Sequence, residues 1–222
     1  MTQNTILAVT LAAGLCLAAP TAHATLIKIG LQEASFNSGN IMDVATDLGT
    51  GYATYTGGYG TFSSNTSINA YGAPILGQGS LSSSTTTFSS AVAGTLRIWI
   101  TETGLTSPVG SGQFLSGLTS NFLTGGVTKV ELITYIDPAN GWYGGTILSD
   151  VHFTGLGSSS ITLNSPPLPG AYSLTNEYIV TATGSGSTAN SISLSYVPEP
   201  ASILLMGLGL VGLGIVRRKR RG

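Results

Sequence analysis

Apolar and polar residues alternate one for one over much of the chain. Between 95 and 103, Leu96, Ile98 and Ile100 share one face, and Arg97, Trp99 and Thr101 share the other. Between 127 and 137, Val130, Leu132, Thr134 and Ile136 oppose Lys129, Glu131, Ile133 and Tyr135. The same period recurs at Ile147, Ser149, Val151 and Phe153, at Tyr178, Val180 and Ala182, and at Ile192, Leu194 and Tyr196. A period of two sends successive side chains to opposite faces of a sheet, so these segments predict antiparallel strands with one buried face. Thr103-Gly104, Thr154-Gly155 and Thr183-Gly184 each follow such a run, and Asp137-Pro-Ala-Asn140-Gly141 has the residue types of a turn. The spacing is uneven, so no internal repeat is read.

Other segments depart from this period. Residues 40–48 predict one short helix, and Phe114 to Leu123 a second. The Gly-, Ser-, Thr- and Tyr-rich stretch from Gly49 to Ser90 reads as long loops between short strands. Gly184-Ser-Gly186-Ser-Thr-Ala189 reads as a hairpin loop before a final strand. The expected fold is all-β, an antiparallel, jelly-roll-like β-sandwich over residues 25–197, with a barrel as the alternative.

The two ends have a different pattern. Ile6 to Ala19 is an apolar run broken by Pro20, and Ala22-His23-Ala24 is a small-x-small cleavage site. Residues 1–24 therefore read as a signal peptide, with the exported chain starting near Thr25 after signal peptidase has acted. Cys16 leaves with it; Leu15 before it is too large for a lipoprotein motif. At the other end, Ala201 to Val216 carries no charge and one hydroxyl, Ser202. A helix over residues 201–216 would be about 24 Å long, slightly short of a ~30 Å hydrocarbon core. Arg217, Arg218, Lys219, Arg220 and Arg221 follow at once, a stop-transfer cluster that marks the cytoplasmic side. Gly207, Gly209 and Gly212 match the letters of a dinucleotide loop, but no strand precedes them and no downstream acid follows.

Pro198, Glu199 and Pro200 join body to tail. Each proline drives the residue before it, Val197 and Glu199, into an extended state. The result is a stiff, accessible tripeptide just outside the apolar segment. Pro-Glu-Pro, a short glycine-rich apolar helix and terminal arginines together resemble the PEP-CTERM sorting signal, over residues 198–222. The resemblance implies a Gram-negative host that makes extracellular polysaccharide. It also implies transient anchoring in the inner membrane and removal of the anchor by an exosortase, a membrane protease. The expected destination is the cell surface or extracellular matrix. The resemblance bears on sorting, not on what the body does.

Composition narrows the function of the body. Between residues 25 and 197, Lys28, Arg97 and Lys129 oppose Glu33, Asp43, Asp47, Glu102, Glu131, Asp137, Asp150 and Glu177, so 3 − 8 gives −5. That balance excludes a broad basic face for nucleic acid. Serine and threonine fill 51 of these 173 positions. Such a hydroxyl-rich surface suits hydrated exopolysaccharide, or O-glycosylation, or simply strand exteriors.

Catalytic signals are sparse. His152 is the one histidine after residue 24, and alternation places it at solvent. No catalytic, cofactor-binding or metal-ligating set is expected: zinc lacks a second histidine or cysteines, and no EF-hand spacing surrounds Asp137 and Asn140. Glu102, Glu131, Asp137, Asp150 and Glu177 lie near expected strand ends, where two acids could serve a glycosidase; turn capping and solvated edges are the simpler reading. Asp43 and Asp47 read as a solvated helix face. The candidate glycan contacts are Trp99, turned away from the Leu96 face, and Trp142 with Tyr143 in a glycine-flanked loop; burial of Trp99 against a second sheet, with Trp142 closing a turn, is the simpler reading. Tyr52, Tyr55, Tyr59 and Tyr71 fall in the glycine-rich region. The expected protein is a non-enzymatic surface or matrix component associated with exopolysaccharide. A carbohydrate-binding module is the alternative, and a secreted glycoside hydrolase ranks last.

Overall fold

A computed structural model of the protein describes residues 25–198, with 63–65 and 84–86 described in backbone only. Ten strands follow in order: β1 (Leu26–Glu33), β2 (Met42–Asp47), β3 (Tyr52–Tyr59), β4 (Phe62–Tyr71), β5 (Ser80–Ser90), β6 (Gly94–Leu105), β7 (Gln113–Asp137), β8 (Thr146–Phe153), β9 (Gly157–Asn164) and β10 (Tyr172–Val197). Every strand pairing is antiparallel. The all-β expectation holds.

β7 and β10, of 25 and 26 residues, organise the molecule. They pair with each other from Ser173–Asp137 to Val197–Gln113 and serve two layers in succession. In the first, the order is β2-β1-β6-β10-β7-β8; in the second it is β3-β4-β5-β10-β7-β9. The layers face each other as a sandwich. Phe88 of β5 stacks on Tyr178 of β10 with centroids 5.9 Å apart, and Ser149 of β8 donates to Ser116 of β7 at 2.8 Å.

Glycines make the passage between layers possible. The β7–β10 register breaks where Gly125 and Gly126 meet residues 184–186. A Cβ on Gly126 would lie 2.5 Å from the carbonyl carbon of Gly184, and one on Gly186 would lie 2.4 Å from the Thr124 carbonyl oxygen. The two backbones therefore approach more closely than side chains allow. The expected hairpin loop at 184–189 is thus corrected: these residues remain in one strand as it turns the corner.

Alternation builds the core. Leu96, Ile98 and Ile100 of β6, Val130, Leu132 and Ile136 of β7, and Ile192 and Leu194 of β10 all face inward. Burying each such side chain stabilises the fold by about 1.5–3 kcal/mol.

Three further expectations are corrected. Residues 42–47 form β2, not a helix, because Val44, Ala45 and Thr46 suit an edge beside β1 better than an isolated short helix. Residues 114–123 belong to β7, where Phe114, Ser116, Leu118 and Ser120 are buried on a period of two. Residues 49–90 hold three strands rather than long loops. Thr54 and Thr56 sit on the exterior, Thr66, Ser83 and Ser90 are buried, and Tyr59 and Phe62 enter the core.

Among the described residues no helix is long and apolar enough to cross a membrane. The signal-peptide residues Ala22 and Ala24, the segment 201–216 and the cluster Arg217 to Arg221 lie outside the described residues, as do Glu199 and Pro200. Pro198 is exposed at the end of β10.

Charge is divided between the layers. All eleven charged residues of 25–197 lie in the first layer's portions of the chain, and the six strand segments of the second contain none. Among the described residues, a site that needs charged side chains is therefore confined to the first layer.

Candidate functional site

The outer face of the first layer brings together both tryptophans with Tyr135 and Tyr143. One register row runs straight across its six strands: Asp43, Gly30, Trp99, Glu177, Ile133 and Asp150. The neighbouring row brings Lys28, Thr101, Thr175 and Tyr135 alongside. Trp99 stacks on Tyr135 with centroids 6.0 Å apart and meets Tyr143 edge-on at 6.3 Å. Its indole Nε1 donates to Gln32 Oε1 at 3.1 Å, which fixes the ring's orientation.

Tyr143 and Trp142 reach this face from the β7–β8 loop, residues 138–145. Asp137 starts the fold-back by accepting from the amides of Ala139 (2.9 Å) and Gly141 (2.8 Å), as the turn chemistry predicts. Asn140, in the left-handed region at φ 60°, accepts from the Gly104 amide at 2.7 Å. Ser173 donates to the Gly141 carbonyl at 2.7 Å, and the Tyr143 amide donates to Thr101 Oγ1 at 3.3 Å. The loop is thus tied to β6, β7 and β10 at once. Gly30 gives it room: a Cβ there would lie 2.7 Å from Ile41 Cγ2 and 3.0 Å from Tyr143 Cζ.

Asp43 completes the arrangement. It accepts from Lys28 Nζ at 2.7 Å and from the Tyr143 hydroxyl at 2.5 Å, while Lys28 Nζ sits 4.7 Å from the centre of the Trp142 ring. Burial works against the charge on Asp43, but the bonds from Lys28 and Tyr143 outweigh it and hold the carboxyl below its ordinary value. Burial, with the bond to Asp43, pushes the Tyr143 hydroxyl well above its ordinary range, so it remains a donor. The reading of Asp43 as a solvated helix charge is corrected. Asp47 is corrected too: it is buried and accepts from the amides of Gly49, Thr50 and Gly51.

Beside this patch a groove of about 510 Å³ is lined by Gln32, Ala34, Ser38, Gly39, Thr95 and Arg97. That volume lies within the ~300–1,000 Å³ common for small-ligand sites. Gln32 and Arg97 connect groove and patch, since Gln32 holds Trp99 and Arg97 pairs with Glu177.

The acids fare differently from their expected places at strand ends. Glu177 lies on β10 with its side chain 1% exposed, paired with Arg97 and accepting from the Tyr135 hydroxyl at 2.5 Å. Glu131 pairs with Lys129, and Asp137 caps its turn. Glu102 is fully buried beneath residues 72–74 and accepts from the Ala73 amide at 2.7 Å. Asp150 and His152 are exposed on β8. Among the described residues, no group of three or more His, Cys, Asp or Glu side chains is placed to hold a metal ion.

Trp99, distant in the sequence from Trp142 and Tyr143, is therefore in one patch with them. Lys28, Gln32, Asp43, Arg97 and Tyr135 belong to it and were not legible as site residues, and Glu177, considered only as one acid of a pair, belongs to it as the partner of Arg97 and Tyr135. One signal was present: Gly30 interrupts an otherwise alternating strand, which marks a close approach. Chemically, the patch offers flat apolar ring area edged by the Gln32 amide and the Arg97 guanidinium as donors, and by the Tyr135 and Tyr143 phenol oxygens as acceptors, since their protons are already given to Glu177 and Asp43. That suits a sugar ring, which has one apolar face and a rim of hydroxyls.

The chain matches the model of the PEP-CTERM protein-sorting motif at residues 197–221. The motif implies export, membrane-associated sorting and processing by an exosortase. No protein of curated function matches the sequence. Among solved structures, TmCBM61 in complex with beta-1,4-galactotriose is similar at 13% identity and a TM-score of 0.31, over 53% of this chain and 71% of that one. The CBM22-1 xylan-binding domain of Paenibacillus barcinonensis Xyn10C is similar at 12% identity and a TM-score of 0.30, over 66% and 94%. A glycoside hydrolase family 43 arabinoxylan arabinofuranohydrolase from Bacillus subtilis gives 15% identity and a TM-score of 0.31 over 73% of this chain. The chain spans 32% of that hydrolase's length. These likenesses are loose, and no ligand, reaction or residue role transfers across them.

Proposed function

We propose that the chain is a non-enzymatic surface or matrix protein that adheres to exopolysaccharide. In this reading, residues 1–24 direct export and 25–197 fold as a jelly-roll-like sandwich. Residues 198–222 anchor the chain in the inner membrane of a Gram-negative host until an exosortase cuts near Pro198 to Pro200. The observation that carries adhesion is the aromatic patch: Trp142 and Trp99 each lie 6.3 Å, ring centre to ring centre, from Tyr143, on a loop pinned by its own hydrogen bonds. A pinned patch loses little conformational freedom on binding, so weak stacking contacts translate efficiently into affinity.

The engagement of Glu177, Glu131, Asp137, Asp43 and Asp47 in internal contacts supports a binding role over glycoside hydrolysis. Each of these acids already has cationic, hydroxyl or amide partners. The test is affinity electrophoresis of the exported domain in gels containing the host's exopolysaccharide. Losing one stacking ring is worth about 0.5–1.5 kcal/mol, so Trp142→Ala should weaken retardation roughly 2- to 10-fold. Retardation unchanged in both Trp142→Ala and Trp99→Ala removes the patch from the function.

A further inference from the structure

The strand register places both ends of the described chain, and five loops, at one end of the sandwich. Leu26 pairs with Thr103 beside the first-layer loops, and Val197 pairs with Gln113 and, through it, Asn164. The loops there are 48–51, 72–79, 106–112, 138–145 and 165–171. All but 138–145 are joined to one another: the Gly72 amide donates to the Gly51 carbonyl at 3.0 Å, the Thr106 amide donates to Gln78 Oε1 at 2.9 Å, and Gly110 bridges to Leu168. None of the five contains a charged residue. Three of them project apolar tips: Leu48 (80% exposed), Val109 (68%) and Ile75 (55%).

The chain leaves this end towards its apolar segment. Only residues 198–200 separate Val197 from the uncharged run 201–216. Three extended residues span at most about 10 Å. The polar interfacial region on each side of a bilayer is about 5–7 Å thick. A tail that enters the hydrocarbon at residue 201 therefore holds the end of β10 within a few ångströms of the headgroups.

We propose that this end of the sandwich is a membrane-docking surface, with Leu48, Ile75 and Val109 resting in the interface of the bilayer that holds the tail. The proposal rests on reading 201–216 as a membrane span. The opposite end has exposed apolar residues of its own, Val92 at 53% and Leu156 at 69%, so exposure alone does not choose between the ends. The point where the chain exits does. Docking lays Pro198 to Pro200 along the lipid surface, where a membrane-embedded protease meets its substrate. Uncharged loops can approach lipid without stripping water from a charge, but the loops at the opposite end, 34–41, 60–61, 91–93 and 154–156, are uncharged too, so charge does not choose between the ends either.

The test uses the chain from Thr25 to Gly222, whose only cysteine would be the one introduced. Leu48→Cys, Ile75→Cys and Val109→Cys, and the controls Val92→Cys and Leu156→Cys, are each labelled with an environment-sensitive fluorophore. Each is then reconstituted into phosphatidylcholine vesicles doped with a headgroup-borne quencher. Labels at 48, 75 and 109 should lose most of their emission, and those at 92 and 156 should keep it. Equal emission at the two ends, with the tail protected from added protease, overturns the docking surface alone. A tail left open to protease overturns the span and the docking with it.

Discussion

Glu102→Gln turns a burial argument into a number. Glu102 lies on β6 with no exposed surface, under residues 72–74, where a Cβ on Gly72 would come within 2.4 Å of its Oε2. Its Oε1 accepts from the Ala73 amide, and Oε2 has no partner among the described residues. Burial raises the carboxyl from an ordinary 4.5 to about 7; the Ala73 amide and Thr25 oppose the rise, and the charge of Asp47 adds to it. The folded protein therefore keeps a proton that the unfolded chain releases between about pH 4.5 and 7. Stability falls across that window as pH rises and levels off above it. A displacement from 4.5 to about 7 corresponds to about 3 kcal/mol.

Glutamine keeps the acceptor for the Ala73 amide, has nearly the same shape and does not ionise. At pH 8 the variant should be more stable than the parent by about 3 kcal/mol, or roughly 6–12 °C in melting temperature for a domain of this size. At pH 5 the two should agree within about 1 kcal/mol, because the parent carboxyl is then neutral. Asp43 and Asp47 do not blur the comparison. Their folded values are lowered from 3.8, so the stability they contribute is lost only as pH falls below that value, outside the scan. Thermal melts of the exported domain at half-unit steps from pH 5 to 8.5 provide the assay. A flat parent curve, or a glutamine variant without advantage at pH 8, would refute the assignment of a destabilising buried charge.

Other substitutions test the rest of the structure. Gly126→Ala places a Cβ against the Gly184 backbone at the corner and should cost at least about 1–3 kcal/mol in urea unfolding; a change under about 0.5 kcal/mol would show that the corner is looser than described. Asp43→Ala should release Lys28 and Tyr143 together, speed limited proteolysis within 138–145 and weaken exopolysaccharide retardation, whereas unchanged cleavage would mean that the loop does not depend on Asp43. Asp137→Ala removes two amide bonds that fold the same loop, with an expected loss of about 1–3 kcal/mol and the same increase in cleavage; equal stability would place the loop's anchor elsewhere.

The strands that alternate cleanly were legible because one face of each meets the core. Leu96, Ile98, Val130, Leu132 and Leu194 announce burial by period alone. The Asp137–Gly141 turn was legible because its residue types prescribe the local hydrogen bonds. β3 to β5 were not, since they are rich in Ser, Thr, Gly and Tyr, and such residues also compose loops; β2, six residues at a sheet edge, was read as a helix because so short a run declares no period. The corner at 184–186 was hidden for a related reason: glycines that permit close backbone crossing look like glycines of a hairpin. The site was half legible. Trp99, Trp142 and Tyr143 stood out as aromatics off the core face, but Asp43, Glu177 and Arg97 joined them only through register, which pairing across strands decides and sequence spacing does not. Glu102 and Glu177 were expected at solvent, because a buried carboxylate is a matter of tertiary surroundings.

The measurement that bears most directly on the account is the intact mass of the protein recovered from the extracellular material of its own host. A chain beginning at Thr25 and ending close to Pro198–Pro200 is the predicted result, with the five terminal cations from Arg217 to Arg221 gone. A mass that retains those residues would contradict exosortase processing and make the protein a permanently anchored one.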